Sequence, residues 1–552
     1  MMESGLSEPI AHLLVLRGVQ TLDAAEAFRN PRLANLTDPF LLPDMEKAVS
    51  RLWKAIDAEE TITVFGDYDV DGVTSASLLT RILRALGATA KPFIPDRLDE
   101  GYGLSLDALE RCLKEHGSTV VVSVDCGVNS VESVGIAQER GIDVIVTDHH
   151  EPEAQTAPAF ALINPKLGTI PKLAILSGVG VAFKLAHAMV KKGRDFKKPR
   201  AAQVNLRDYL DIVALGTVAD MVPLVDENRI LVRHGLVQLA TTKWAGLAAL
   251  KTVAGMKGEP ETFHLGFQLG PRINAAGRIG QPMQALQLLT TESPSEAQKI
   301  AHLLDETNAE RRQIEREMAD EAFAEIDAYF NPDQHFGLVV AQKGWHPGVV
   351  GIVASRVSRH YNRPTIIMGI EEDGRARGSC RSIDEYNMLE GLQACESCLS
   401  KFGGHQMAAG LEVKPGELDR FKAAFNAAVS SELSERDLAP VQYIDAIIEP
   451  DQVNWDFMEQ LKQLRPFGQN NPEPVWGLEQ VTVSGSPKVV GESHLKLSLI
   501  AKGQKFEAIA FNYPMDELPA GKLDVAFMLK ENQWMGNTTL QLQIQHIRTS
   551  ES

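Results

Sequence analysis

Residues 61–72 read TITVFGDYDVDG: five residues of buried-strand character, then a turn holding Asp67, Asp69 and Asp71 between two glycines. β-Branched and aromatic residues in such a run favour a strand. The turn that follows is too crowded with like charge to be an ordinary solvated face. Carboxylates brought toward one point repel each other unless a cation neutralises them. A calcium loop of the EF-hand kind is a poor match, because Leu78 stands where its twelfth position needs a glutamate.

The pattern repeats outward from this stretch. TVVVSV at 119–124 runs into Asp125, IDVIVT at 142–147 runs into Asp148-His149-His150, and ALI at 161–163 is a fourth strand candidate. Helical spacing covers 74–86 and 206–219, the latter ending on Ala219-Asp220-Met221-Val222-Pro223. Strands alternating with helices predict an α/β fold with a parallel sheet. Open sheets of that kind bind ligands at the carboxyl ends of their strands. Acids and imidazoles along one crest suit Mn²⁺ or Mg²⁺ better than a thiolate metal. Together the four segments describe a two-metal hydrolase site, which activates water and holds both oxygens of a phosphoryl transfer.

The rest of the chain adds further domains. With 552 residues, 44% hydrophobic and 23% charged, it is long enough for several globular domains and too apolar to be mainly disordered. The net charge of −18 argues against a protein that coats nucleic acid by global attraction, though not against local basic groups. Cysteines 112, 126, 380, 395 and 398 are few and odd in number, which fits a reducing compartment. No apolar run approaches the ~18 residues of a membrane span. The start, MMESGLSEPIAHLLVLRG, lacks a basic leader and cleavage site, so a cytoplasmic protein is expected.

Residues 1–45 form an N-terminal segment, and 46–291 the parallel-sheet domain. Ser293-Pro294-Ser295-Glu296 predicts a capping box that opens a long solvated connector helix at 292–331. A smaller α/β domain occupies 332–432, with a strand at 337–341 and a helix at 348–359. From 433 to 552, six short strand candidates at hairpin spacing predict a β-barrel of the OB type that grips single strands. Phe467, Trp476, Phe506, Phe511 and Trp534 are its candidate stacking platforms, because the region carries only nine Lys/Arg against fourteen Asp/Glu from 441 to 552.

The motifs GDYDVDG, SVDCG, TDHH and VADMVPL, in this order, resemble the DHH phosphoesterase superfamily. GGHQMAAG at 403–410 and GSCRS at 378–382 are similar to the loop and strand of the associated DHHA1 domain. PRINAAGR at 271–278, WHPG at 345–348 and RPFG at 465–468 complete the pattern of the superfamily's bacterial branch of single-strand-specific 5′→3′ exonucleases. The resemblance implies a metal-dependent exonuclease that degrades single-stranded DNA to mononucleotides in repair and recombination. It implies two Mn²⁺ or Mg²⁺ ions held by Asp69, Asp71, Asp125, His149 and Asp220, with Asp67 in or beside that set and His150 orienting substrate or ligands. Relatives often carry histidine where Phe65 stands here, which leaves open how Asp67, Asp69 and Asp71 divide between the ions.

On the DHHA1 side, Gly403 and Gly404 let backbone N–H groups approach a phosphate, and His405 adds a donor. Arg381 offers a planar fork, with Ser379 and Ser382 as neutral donors. Arg272 and Arg278 are candidates for reaching across the cleft, and Asn274 for positioning the nucleotide. By resemblance this side receives the 5′ end while the DHH side cuts. A single-strand-binding protein and a RecQ-type helicase are the partners the resemblance suggests.

Other readings compete. An oligoribonuclease or small-nucleotide phosphodiesterase of the same DHH–DHHA1 plan is the enzymatic rival, although such relatives are mostly shorter and lack the 465–468 segment and its barrel. A non-catalytic strand binder is disfavoured by the intact acids. Cys395 and Cys398 are expected to be plain thiols, and Gly178-Val179-Gly180 a packing turn at a helix start. The basic run KKGRDFKKPR at 191–200 reads as a solvated loop or a phosphate-backbone contact.

Overall fold

The structure, a computed structural model, describes residues 5–96, 103–435, 437–491 and 493–550, and the Trp534 side chain lies outside the described set. These residues form two compact units. Residues 1–273, 282–301 and 442–552 make the first, and 274–281 with 302–441 the second.

The first unit is built on a five-stranded sheet in the order β2-β1-β3-β4-β5, with every neighbour parallel. Its strands are β1 (Thr61–Gly66), β2 (Thr89–Phe93), β3 (Val120–Val124), β4 (Asp143–Thr147) and β5 (Ala161–Ile163). Helices cover both faces, so central strands such as β3 are buried at every position, which explains their continuous apolar reading. β2 escaped the sequence reading because Lys91 and Pro92 interrupt its apolar run. A proline without an N–H is tolerated there because β2 is an edge strand.

The same unit contains the C-terminal barrel. Its strands are β11 (Ala446–Ile447), β12 (Trp476–Val483), β13 (Lys488–Val490), β14 (His494–Ala501), β15 (Gln504–Ala510), β16 (Leu523–Trp534) and β17 (Asn537–Thr549). The sheet runs β11-β12-β16-β17-β15-β14-β13 and closes on itself through Thr482–Ile500 and Val483–Leu499 between β12 and β14. The N-terminal helix Glu8–Leu16 belongs to this core: Ile10, Leu13 and Leu14 cluster with Phe457, Leu461 and Trp476.

The second unit carries the sheet β6-β7-β8-β10-β9, with β6 (Leu338–Lys343) parallel to β7 (Thr365–Ile370). β8 (Ala376–Arg381), β10 (Ala408–Val413) and β9 (Leu399–Gly404) continue it antiparallel. The helix Val350–Tyr361 lies against β7 and β8, two residues later than the spacing suggested. The long helix Pro294–Asp327 has 34 residues. Ser293 caps it by accepting the Glu296 N–H, but Glu296 turns its carboxylate to Thr291 and Gln287, so only half of the predicted capping box forms.

Two expectations need correction. The run 191–200 is not a loop: it continues the helix Gly178–Asp195 into a short one at Pro199–Gln203. There Lys191, Lys192 and Lys198 pair with Asp38, Glu46 and Asp57 at 2.6–2.7 Å, which occupies them locally. Trp476 and Phe506 are core residues rather than platforms, and Phe467 packs against that core, because so small a barrel needs its aromatics inside. Phe511, 49% exposed, lies outside that core, with its ring edge-on to His494 at 5.0 Å. No described helix is long and apolar enough to cross a membrane. Trp476→Ala should therefore cost about 3–5 kcal/mol of stability and Phe511→Ala less than about 1 kcal/mol. Denaturant unfolding of the two variants checks this, and equal losses would contradict the burial pattern.

Candidate metal centre

The parallel sheet points the ends of β1, β3 and β4 to one side, and each end delivers a carboxylate. Asp67 follows β1 and is 1% exposed. Asp69 caps the helix Val70–Leu86 by accepting the Gly72 N–H at 3.0 Å. The helix thus begins four residues before the predicted start at 74, and Asp71 lies in its first turn. Gly72 is required there, since a Cβ would collide with the Asp67 backbone.

Asp71 is clamped by a helix N-terminus. The N–H groups of Gly178 and Val179, which open the helix Gly178–Asp195, donate to its two oxygens at 2.6 and 2.8 Å. Unsatisfied amides and the helix dipole both favour a carboxylate at that place. A Cβ on Gly178 would run into the Asp125 carboxylate, so this glycine lets two acids and a helix end share one small volume.

Asp125 has φ +61°, an uncommon left-handed conformation for a non-glycine, and its N–H is tied to Thr147 O at 2.9 Å. Asp148 is an orienter: its oxygens accept from Val128 N, His149 N, His150 N and His150 Nδ1 at 2.7–3.1 Å. His149 is left with Nε2 3.2 Å from Asp125 Oδ1 and 3.6 Å from Asp220 Oδ2. Asp220 arrives at the C-cap of the helix Leu210–Ala219, whose Gly216 has no room for a methyl beside Thr74 and Asp71.

In the second unit, Arg381 ends β8 with Nη1 on Ser379 Oγ at 2.8 Å and on Cys380 O at 2.7 Å. β10 pairs Ala408 with Arg381 and Ala409 with Gly404, so the Gly403-Gly404-His405 turn and Arg381 lie at the same end of the sheet. Gly404 adopts φ +151°, and His405 N bonds Ala408 O to close the hairpin. Gly351, in the first turn of the helix Val350–Tyr361, sits where a Cβ would be 3.1 Å from both Arg381 Nη2 and Ser379 Oγ. Ser382 is turned away, with Oγ on Tyr386 O at 2.8 Å. Arg278 Nη1 bonds Gly348 O at 3.1 Å. Asn274 also belongs to this unit, whereas Arg272 belongs to the first, with Nη1 on Gln268 O.

Comparison with known proteins agrees with this layout. The DHH family N-terminal domain matches residues 61–217, the DHHA1 domain 334–431 and the RecJ OB domain 444–546. The single-stranded-DNA-specific exonuclease RecJ of Bacillus subtilis is 37% identical over 98% of this chain and 68% of its own length. The Escherichia coli protein of that name is 36% identical over 92% of this chain and 90% of its own. The crystal structure of RecJ with Mn²⁺ from Thermus thermophilus superposes with a TM-score of 0.83 at 30% identity, covering 99% of this chain and 76% of that one. The chain belongs to the RecJ family.

RecJ from Thermus thermophilus has also been crystallised with Mg²⁺, and the residues here fit such an ion. Asp67 Oδ1, Asp125 Oδ1, Asp220 Oδ2 and His149 Nε2 are buried without a hydrogen-bond partner among the described residues. Asp71, His149 and Asp220 present ligand atoms within 4.8 Å of one another, as do Asp125, His149 and His150. Oxygen donors with imidazole are what Mn²⁺ and Mg²⁺ take. Phe65, fully buried and stacked on Phe93 at 5.2 Å, supports the sheet and offers no donor.

The charges record the same strain. Burial, then the charge of Asp69, lifts Asp67 to about 8 and Asp71 to about 7. Burial with Asp71 and Asp69 lifts Asp220 to about 9, and Asp125 is pushed well up for the same reasons. Burial and neighbouring His150 hold His149 down at about 4, a neutral imidazole fit to ligate. For His150, burial alone would lower the value, but the Asp148 hydrogen bond raises it.

The sequence reading missed the Gly178–Val179 clamp and the orienting role of Asp148. The glycines of 178–180 did signal a helix start, but nothing local tied them to an acid 107 residues away.

The raised carboxylates fix a pH dependence. Their protons are held more tightly in the folded metal-free chain than in the unfolded one, where they leave near ~4. Stability is then highest below that value and falls as pH rises through the folded values of about 7 to 9. Mn²⁺ replaces those protons, so its increment in Tm should grow from pH 6 to pH 8, with proton release measured by calorimetry in buffers of different ionisation enthalpy. A pH-independent increment without proton release would contradict the burial of these acids around an ion.

Proposed function

We propose that this protein is a metal-dependent exonuclease that degrades single-stranded DNA from its 5′ end to mononucleotides, acting in the cytoplasm in DNA repair and recombination. The observation that carries the reading is the set of partnerless buried donor atoms on Asp67, Asp125 and His149 beyond the strand ends and on Asp220 at a helix C-cap. It stands in a chain whose near-full-length relatives are named single-stranded-DNA-specific exonucleases. The reading divides the work among a catalytic domain at 46–291, a DHHA1 domain at 332–432 and a DNA-binding barrel module at 433–552.

Asp69, Asp71, Asp125, His149 and Asp220 hold two Mn²⁺ or Mg²⁺ ions, with Asp67 completing the set where Phe65 offers nothing. The ions supply Lewis acidity, which makes water nucleophilic at neutral pH and offsets charge on the phosphoryl oxygens. Water adds to phosphorus, the bond to the 3′ oxygen breaks, and that oxygen takes up a proton. His150, fixed through Nδ1 on Asp148 and drawn toward its charged form, orients the substrate or the metal ligands. Neutral His149 stays a ligand. Asp148 positions the two histidines by accepting from their backbone N–H groups and from His150 Nδ1.

The 5′ phosphate is bound by Arg381 with Ser379, by the N–H groups of the Gly403–Gly404 turn and by His405. The helix N-terminus beside Arg381 and Ser379 supports this, because amides and guanidinium both favour an anion. Arg272, Asn274 and Arg278 contact the nucleotide backbone, and Ser382 contributes through its backbone, since its hydroxyl is engaged. A single-strand-binding protein and a RecQ-type helicase are the partners this reading extends to.

On a long single strand with Mn²⁺, a 5′ label should be released first and a duplex control spared. Asp125→Ala should slow hydrolysis roughly a thousandfold or more while the fold survives. A rate within about tenfold of wild type would remove Asp125 from the site. In a separate comparison, Arg381→Ala and His405→Ala should shrink the preference for a 5′-phosphate over a 5′-hydroxyl end. If both variants discriminate as wild type does, the phosphate pocket lies elsewhere.

A further inference from the structure

Three polar residues in a row are buried at the start of the helix Asp226–Ala240: Glu227, Asn228 and Arg229, exposed by 1%, 0% and 2%. Each holds a different segment. Glu227 pairs with the equally buried Lys184 and accepts the Thr37 N–H at 2.7 Å. Asn228 donates to Ile175 O at 2.6 Å and to Pro223 O at 3.1 Å. Arg229 turns to backbone carbonyls. It donates to Phe28 O, Pro466 O, Arg465 O and Gln463 O at 2.9–3.3 Å and lies 3.9 Å over the Phe28 ring.

A buried cation held by neutral groups is costly unless its hydrogen bonds are met in full. Here the carbonyls meet them, from the N-terminal segment and from the segment leading into the barrel. That segment is itself braced. Asn471, fully buried, donates to Leu464 O at 3.0 Å and to Pro466 O at 2.7 Å, and it accepts from Arg17.

The braced loop sits on the chain that carries Asp220. Leu224, four residues further on and 2% exposed, gives its N–H to Gln469 O at 2.8 Å. Its side chain fills the space beside Gly468, where a Cβ would lie 2.6 Å from Leu224 Cδ1. Asp220 needs such support. It stands at a helix C-terminus, where the dipole disfavours an anion, and one carboxylate oxygen has no partner among the described residues. The next residue, Met221, is 72% exposed with φ +58°, so the segment is not held by its own packing. Asn228 and Gln469 O therefore supply the ties, and Asn228 links Pro223 to Ile175, three residues before the Gly178 N–H that clamps Asp71.

We propose that Leu224, Asn228 and Gly468 are positioning residues through which the barrel's 465–471 loop holds Asp220 in register with Asp71, so that metal loading depends on the seat of the barrel. The proposal rests on the metal-dependent reading above. It assigns the barrel module a part in assembling the metal centre in addition to gripping DNA.

The test is Mn²⁺ titration of the full-length protein, followed by the electron paramagnetic resonance signal of the free ion. The variants are Leu224→Ala, Gly468→Ala, Leu224→Met and Asp220→Asn, each also melted without metal and assayed on a short 5′-phosphorylated oligonucleotide. Leu224→Ala and Gly468→Ala should weaken Mn²⁺ binding about tenfold or more, approaching Asp220→Asn, and should lower kcat more than they raise KM. Leu224→Met, which keeps the volume, should bind Mn²⁺ nearly as wild type. If the metal-free melting of Leu224→Ala collapses, Gly468→Ala decides alone. Wild-type Mn²⁺ affinity in Leu224→Ala and Gly468→Ala, with weakened binding in Asp220→Asn, would overturn this proposal and leave the metal reading standing. Unchanged affinity in Asp220→Asn would overturn both.

Discussion

The interaction on which the molecule turns is the mutual repulsion of buried carboxylates. Asp67, Asp71 and Asp125 are each no more than 2% exposed, and Asp220 joins them from a neighbouring helix end. In a space that water cannot screen, such a group is tolerable only with protons or with cations. The fold spends its resources holding the acids together in spite of that. A parallel sheet aligns the strand ends, a helix N-terminus stabilises Asp71, and Gly72, Gly178 and Gly216 remove the side chains that would keep the elements apart. A hydrolase that needs divalent ions gains from this arrangement, because carboxylates held together in advance need little reorganisation to take up a cation.

Much of this was legible because each signal was local. A β-branched run followed by aspartate marks both strand and site at once, and it occurs at Asp67, at Asp125 and at Asp148. The barrel was legible too, through hairpin spacing, and β12 to β17 close as that spacing implied. What escaped depended on residues distant in sequence. The clamp on Asp71 joins residues 107 apart, and the grip of Arg229 on the 463–466 carbonyls spans more than 230. Asp148 read only as the acid that ends a strand beside two histidines, yet four donors converge on it and turn it into the support of both. Trp476 and Phe506 looked like stacking platforms because composition cannot tell the inside of a small barrel from its outside. The basic run at 191–200 looked free because the acids that neutralise it, Asp38, Glu46 and Asp57, lie far upstream.

The N-terminal helix and the barrel share one core, and the barrel's entry loop rests on the Asp220 segment. Segments more than 400 residues apart in the chain thus meet beside that loop. Sequence boundaries suggested a modular chain, a catalytic piece with a detachable grip. The packing joins these parts into a single unit, while the phosphate-binding candidates on β8 and the β9–β10 turn belong to the other. Phe65 shows the same economy. Fully buried, it stacks on Phe93 and presents no ligand atom.

The central claim is that these acids exist to hold metal. Anomalous diffraction from crystals of the full chain soaked in Mn²⁺, recorded at the manganese edge, tests it most directly. The account predicts two strong anomalous peaks within coordination distance of Asp71, Asp125, His149 and Asp220, with Asp125 between the two ions. Peaks confined to other parts of the molecule, with these side chains unmoved and unligated, would contradict it.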